Sequence, residues 1–193
     1  MSRVVDWFMG LDFRKAIWIA PLVWTLHEAE EWNITDWGRR HFADPGYFSE
    51  IDQPIAWVGL GLVALAGVLW TCLTAWPKNP KFAAFVTLPF FVFFTFGNAL
   101  QHIYYALFFR GYDPGLVTAT LLVGPVAVGL TAKAVRDRLF PWWFATVLYL
   151  LMIPSLVVTI RALDHVPPQV PPNIQSLHRA ALPLARAILG RHE

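Results

Sequence analysis

The sequence predicts an all-α protein, a polytopic membrane helix bundle of about five transmembrane helices with a C-terminal amphipathic helix. Three observations predict it. The chain is 56% hydrophobic and only 15% charged, where soluble domains carry roughly 25% charged residues. Its mean hydropathy is +0.48. Its apolar residues gather into separate segments near the ~20 residues that a spanning helix needs, and its ten Trp and fifteen Phe suit helices that meet lipid and headgroups.

The first apolar segment runs near 14–34 and counts as a span only if the cluster His27-Glu28-Ala29-Glu30-Glu31 lies inside it. A long connection, 33–54, then carries Trp37, Arg39, Arg40, His41, Phe42, Tyr47 and Phe48, a composition that suits a partly helical cap in the interface. The second segment, 54–76, is uninterrupted, with Ala56, Gly59, Val63 and Gly67 forming a small-residue stripe for helix packing. Pro77-Lys78-Asn79-Pro80 makes a tight turn into the third segment, which has no formal charge between Lys81 and Arg110. In Gly111-Tyr112-Asp113-Pro114-Gly115 the third helix ends and the fourth begins, with Asp113 as N-cap and Pro114 at the first helical position. The fourth segment runs from about 114 to 137 and the fifth from 141 to 163. Pro21, Pro89, Pro125 and Pro154 fall inside four of these segments and predict kinks rather than breaks.

This divides the chain into a bundle, 1–165, and a tail, 166–193. The tail opens on the proline-rich stretch Val166 to Pro172, which is expected to be extended. Over 173–190, Ile174, Leu177, Ala181, Leu184 and Ile188 share one helix face with Arg179 and Arg186 off it, a pattern suited to the bilayer surface.

Composition also excludes. A net charge of +2 is too small to imply nucleic acid, and with Cys72 as the only cysteine neither an intrachain disulfide nor a thiolate cluster is possible. No signal peptide is expected, because the first apolar run leads into His27–Glu31 rather than a small-residue cleavage site. With five spans, Arg3, Arg14, Lys15, Lys78, Lys81, Lys133, Arg136 and Arg138 share one side. The short loops therefore favour the inner (cytoplasmic) membrane with a cytoplasmic N-terminus and an external C-terminus.

That topology brings the polar groups together. Ionisable residues inside a membrane segment mark a working site by default. On a helix, i, i+3 and i+4 share a face, so His27, Glu30 and Glu31 point together while Glu28 points elsewhere. On the third helix Asn98, Gln101, His102 and Tyr105 also share a face. At 1.5 Å per residue, His102 lies ~12 Å from Arg110, a depth matching His27 on the first helix. The metal ligands this predicts are His27, Glu30, Glu31 and His102, holding a divalent ion, zinc or iron. Glu30 is expected as acid/base, with Asn98 and Tyr105 as further catalytic or substrate contacts. A competing reading ends the first helix near Leu26 and leaves His27–Glu31 as a solvated collar. Arg161 is a candidate partner for Glu30 or Glu31, while Asp164, His165, His41, His178 and His192 are expected at the surface.

His27-Glu28-Ala29-Glu30-Glu31, then His102, then Tyr112-Asp113-Pro114-Gly115, resembles the HXXEE-motif family of small multi-helix membrane proteins, over roughly residues 14–137. The resemblance implies the fold and the importance of His27, Glu30, Glu31 and His102, but supplies no reaction. The residues point to a membrane enzyme acting on a lipid or another hydrophobic small molecule, by hydrolysis or by oxidation at a non-haem iron. The alternatives are a metal-free isomerase or cyclase, proton- or ion-coupled transport through Glu30, Glu31 and His102, and a structural subunit whose polar cluster fastens helices together. The expected partners are membrane lipids and that hydrophobic molecule.

Overall fold

Four helices are long and apolar enough to cross a membrane: Gln53–Ala75, Pro80–Phe108, Leu116–Arg136 and Trp142–Leu163. They match the second to fifth apolar segments of the sequence to within a few residues. The computed structural model describes residues 3–165 and 167–191, and helix makes up 78% of it, with no strand among the described residues.

The first apolar segment is shorter and broken. After α1 (Arg3–Gly10), α2 (Phe13–Ala16) and α3 (Ile19–Glu30) are separated by a turn at 17–18. Pro21 explains the break, because its ring and missing N–H disrupt the carbonyl four residues earlier, that of Ile17. Two short helices, α4 (Ile34–His41) and α5 (Pro45–Glu50), then cap one end of the bundle, and α6 is the span Gln53–Ala75. The starts are written in the sequence: Asp12, Asp44, Asp52 and Asn79 each accept a backbone N–H at the first turn of α2, α5, α6 and α7 (Pro80–Phe91).

The remaining spans carry π-helical turns or breaks. The third is α7, a π turn at Val92–Phe96 and α8 (Gly97–Phe108). At its middle Gly97 packs against Met152: a Cβ there would sit 2.6 Å from Met152 Cε, so that flexible side chain would have to shift. The fourth is α9 (Leu116–Thr118), a π turn at Ala119–Val123 and α10 (Gly124–Arg136), with Pro125 following the π turn. The fifth is α11 (Trp142–Leu150) and α12 (Ile153–Leu163), broken at 151–152 just before Pro154.

The two largest of four apolar clusters hold the ends of these rods. One, around Phe13, Ile17, Ala84, Leu88, Leu130 and Ala134, joins α2, α7 and α10 at the basic end. There the buried Lys133 donates to Met9 O and to Asp137 Oδ2, both at 2.8 Å, and so pins the last turn of α1 to α10. The other core, at the opposite end, is aromatic and joins Trp37, Phe42, Tyr47 and Phe48 of the cap to Tyr105 of α8. Leu65, Leu69 and Leu73 stand more than half exposed along α6, the expected state of a face that meets lipid.

The last helix, α13 (Pro172–Ile188), is amphipathic, with Leu182 and Ala185 buried in the aromatic core and Leu177, Leu184 and Ile188 exposed. It is fastened to the cap by Gln175 Nε2 donating to Asp44 Oδ2 at 2.7 Å, by Arg179–Glu50 at 3.1 Å, by Arg191–Asp52 at 2.5 Å and by a Tyr47–His178 bond. The stripe on α6 does not serve close packing throughout. Ala56, Gly59 and Val63 line a cavity, and a Cβ on Gly59 would meet nothing within 4 Å.

Candidate metal centre

At the capped end, the last turn of α3 meets the last turns of α8 and the loop that follows. His27 is fully buried and His102 is 3% exposed. Their ring centroids are 4.9 Å apart with planes at 84°. Glu31 Oε1 lies 2.9 Å from His102 Nε2 and 3.6 Å from His27 Nε2. One donor atom from each of His27, Glu31 and His102 lies within 4.8 Å of the other two. The two helices thus present imidazole and carboxylate to each other at the same height.

Both imidazoles are held from behind. His102 Nδ1 bonds Asp113 Oδ2 at 2.5 Å, and His27 Nδ1 bonds Thr118 Oγ1 at 2.9 Å. The Thr118 hydroxyl has one proton, and the Glu30 carboxylate, with Oε2 at 2.5 Å, outcompetes the Gly115 carbonyl at 3.3 Å for it. Thr118 Oγ1 must therefore accept from His27 Nδ1–H. That assignment leaves the His27 Nε2 lone pair facing Glu31. It has no hydrogen-bond partner among the described residues. A carboxylate or hydroxyl behind Nδ1 is how metal-bound histidines are oriented; here His27 Nε2 is free and His102 Nε2 meets Glu31 at 2.9 Å.

The loop between α8 and α9 closes over this group. Gly115 has φ +95°, and a Cβ there would stand 2.7 Å from His27 Cε1, 2.8 Å from His102 Cε1 and 3.1 Å from Glu31 Cγ. Only glycine lets the backbone come this near while holding that conformation. The Asp113 side chain, expected as an N-cap, instead takes the proton of His102 Nδ1. Its capping task passes to Glu30, whose carboxylate accepts from Val117 N at 3.1 Å, Thr118 N at 2.7 Å and the Tyr112 hydroxyl at 2.7 Å. A carboxylate at a helix start is favourable both for the free N–H groups and for the helix dipole.

Glu28 and Glu30 therefore exchange the orientations expected from spacing. At 100° per residue both fall about 80° from the line between His27 and Glu31, on opposite sides. Glu30 turns to α9 and stands outside the donor group, whereas Glu28 turns inward. The spacing alone does not say which side is the interior. Glu28 is 8% exposed and has no hydrogen-bond or ion-pair partner among the described residues.

Glu28 faces a cavity of about 370 Å³, within the range of small-molecule sites. Glu28, Glu31, Asn98, Gln101 and His102 form its polar end. Ile55, Gly59, Leu60 and Val63 of α6 and Leu177, Ala181 and Leu182 of α13 form apolar walls. Asn98 Oδ1 is buried without a hydrogen-bond partner among the described residues. Gln101 Nε2 donates to the Tyr105 hydroxyl at 2.6 Å, and both side chains line the same space. His178, expected at the surface, lines it too and bonds Tyr47. Burial drives the His178 imidazole below its ordinary value, against the pull of Glu31. His41 is half-buried against Trp37, with Nδ1 2.8 Å from Trp37 O. Arg161, Asp164 and His165 are exposed, and His192 lies outside the described residues.

What sequence reasoning missed here has one visible signal. Tyr112, Asp113 and Gly115 each contact a different member of the His27–Glu31 or His102 cluster. A tyrosine, an aspartate and a glycine in one turn after a buried histidine are more than a helix boundary requires.

The family described as a protein of unknown function with HXXEE motif matches residues 18–130. That range holds every residue of the donor group together with Asp113, Gly115 and Thr118. No curated protein and no solved structure matches the chain.

Proposed function

The chain belongs to the HXXEE-motif family, and on that premise we propose that it is a membrane-embedded, metal-dependent enzyme acting on a hydrophobic substrate. The observation that carries the reading is the buried group His27, Glu31 and His102, with both Nε2 atoms turned to one carboxylate and both Nδ1 atoms held from behind. Two imidazoles and a carboxylate suit zinc or ferrous iron and leave coordination positions free. A divalent ion there would supply Lewis-acid chemistry, and with zinc an activated water for hydrolysis; iron would favour oxidation.

The chain's own residues divide the remaining work. Glu28 and Asn98 line the polar end of the cavity, which supports their contact with substrate. Glu30 acts through Thr118 and is a positioning residue in this reading. Tyr105 and Gln101 fix one another at the cavity wall. The apolar walls and the cap from α4, α5 and α13 keep bulk water from the polar end. The basic residues at the opposite end of the bundle support a cytoplasmic N-terminus, with the site toward the outer face of the cytoplasmic membrane.

The test is turnover. Purified protein is reconstituted with total membrane lipid, and the lipids are profiled by mass spectrometry. The reading expects a lipid-class conversion that chelator stops and that Glu28→Gln and His102→Ala abolish. Identical lipid profiles with active protein, chelated protein and both variants would refute it.

A further inference from the structure

The cavity takes one wall from beyond the matched range 18–130, from α13, and that wall carries His178. Three residues in and around α5 hold this turn of α13. Gln175 Nε2 donates to Asp44 Oδ2, His178 Nδ1 meets the Tyr47 hydroxyl, and Arg179 pairs with Glu50. Positions 175, 178 and 179 share a helix face, which is why one short helix can grip all three. Gln175 and Arg179 spend their donors on that seat and on the chain nearby. The imidazole has a second nitrogen left over.

The state of that nitrogen follows from Tyr47. Tyr47 is 3% exposed, and its hydroxyl has no other partner among the described residues. A buried hydroxyl proton without an acceptor is costly, so Tyr47 donates and His178 Nδ1 accepts. Burial keeps the imidazole neutral. A neutral imidazole has one N–H, which therefore stands on Nε2. This atom has no partner among the described residues and, unlike Asn98 Oδ1, is not closed off from small molecules. His178 and Glu31 line the same cavity, and the Glu31 carboxylate acts on the imidazole, yet no ion pair joins them among the described residues. The group His27, Glu31 and His102 thus stands on one side of a gap, with an N–H donor on the other.

An oxygen with free lone pairs completes this gap, since it can face a cation on one side and accept the N–H on the other. We propose that His178 touches the substrate, its Nε2–H donating to a carbonyl or phosphoryl oxygen of the reacting group, with Tyr47 as the positioning residue behind it; this rests on the cavity being the substrate site of the proposed enzyme. A donor fixed where charge develops on such an oxygen stabilises that charge.

The test reads the hydrogen bond rather than turnover. Protein with isotope-labelled histidine, in lipid nanodiscs, is examined by NMR, and the His178 signals are assigned by their loss in His178→Gln. Wild type is expected to show the Nε2–H tautomer at His178, and Tyr47→Phe to lose that preference. The Nδ1–H tautomer in wild type would overturn the proposal. The same protein is photolabelled with a diazirine-bearing long-chain methyl ketone and, separately, with the chain-matched alkane, and labelled residues are mapped by mass spectrometry. The ketone is expected to label the cavity stretch 60–63 about three- to tenfold more than the alkane, the worth of one net hydrogen bond. His178→Phe should bring the two probes level, whereas His178→Gln, which keeps an N–H, should hold part of the excess. The ratio of the probes carries the result, so a general loosening of α13, which lowers both, does not mimic it. A ketone excess that survives in His178→Phe would overturn the proposal, as would level labelling in wild type. Metal content of the same samples is read in parallel. Level labelling in protein that holds metal faults His178 alone, whereas a His178-dependent excess in protein without metal faults the metal reading.

Discussion

His102 Nδ1 lies 2.5 Å from Asp113 Oδ2, a bond across the turn between α8 and α9 that aims Nε2 at Glu31. Asp113 is fully buried, and its other oxygen has no hydrogen-bond partner among the described residues, so its side chain answers to His102 alone. Asp113→Ala is expected to lower metal affinity by ~10–100-fold, as removal of a carboxylate behind a ligand histidine does elsewhere, while Asp113→Asn, which keeps an acceptor, loses less. Competition with a chromogenic chelator in detergent measures both. Unchanged affinity in Asp113→Ala would contradict the role.

Gly115 makes a sharper test because it carries no ligand. In Gly115→Ala the new methyl would stand under 3 Å from both imidazoles, at a φ of +95° that side chains rarely adopt. The left-handed conformation alone costs ~1–2 kcal/mol, and moving the rings adds to it. Thermal unfolding in detergent is expected to show a clear loss of stability together with a loss of bound metal. Gly59→Ala, where a Cβ meets nothing within 4 Å, is the control and should leave both near wild type.

The relay from Glu30 through Thr118 to His27 predicts an order among variants. Thr118→Ser keeps the hydroxyl and should behave as wild type. Thr118→Val leaves His27 Nδ1–H without its acceptor, a loss of ~1–3 kcal/mol for a buried donor. Metal affinity should fall in Thr118→Val and hold in Thr118→Ser; equal values would show that Thr118 does not orient the imidazole.

At the far end of the bundle, burial raises the Asp137 carboxyl, but hydrogen bonds from Lys133 and Arg136 outweigh that and hold it below its ordinary value. A depressed folded value means stability fully present above about pH 3.9 and lost as pH falls through the folded value. Asp137 is exposed at the surface, so the effect is small. Unfolding curves at falling pH are expected to steepen in wild type and to flatten in Asp137→Asn. Parallel curves would remove Asp137 from the acid response.

The spans were legible because lipid imposes a length and an apolar content on any crossing helix, as in 54–76. The meeting of His27 and Glu31 with His102 was legible too, since depth follows from residue count along two rods. Three things were not. Glu28 and Glu30 flank the donor group symmetrically, and only the packing of α9 decides which one turns inward. Asp113 has the spacing of an N-cap, and nothing local says that a buried imidazole claims it first. His178 reaches the cavity because α13 folds back onto the cap, a contact between residues more than a hundred positions apart in the chain.

Metal stoichiometry tests the central claim most directly. Protein purified in mild detergent, loaded with zinc or ferrous iron and freed of excess, is analysed by inductively coupled plasma mass spectrometry beside His27→Ala and His102→Ala, with circular dichroism confirming helix content in each. The account predicts close to one ion per chain in wild type and a loss of most of it in both variants at unchanged helicity. Equal or negligible metal in all three folded proteins would contradict it.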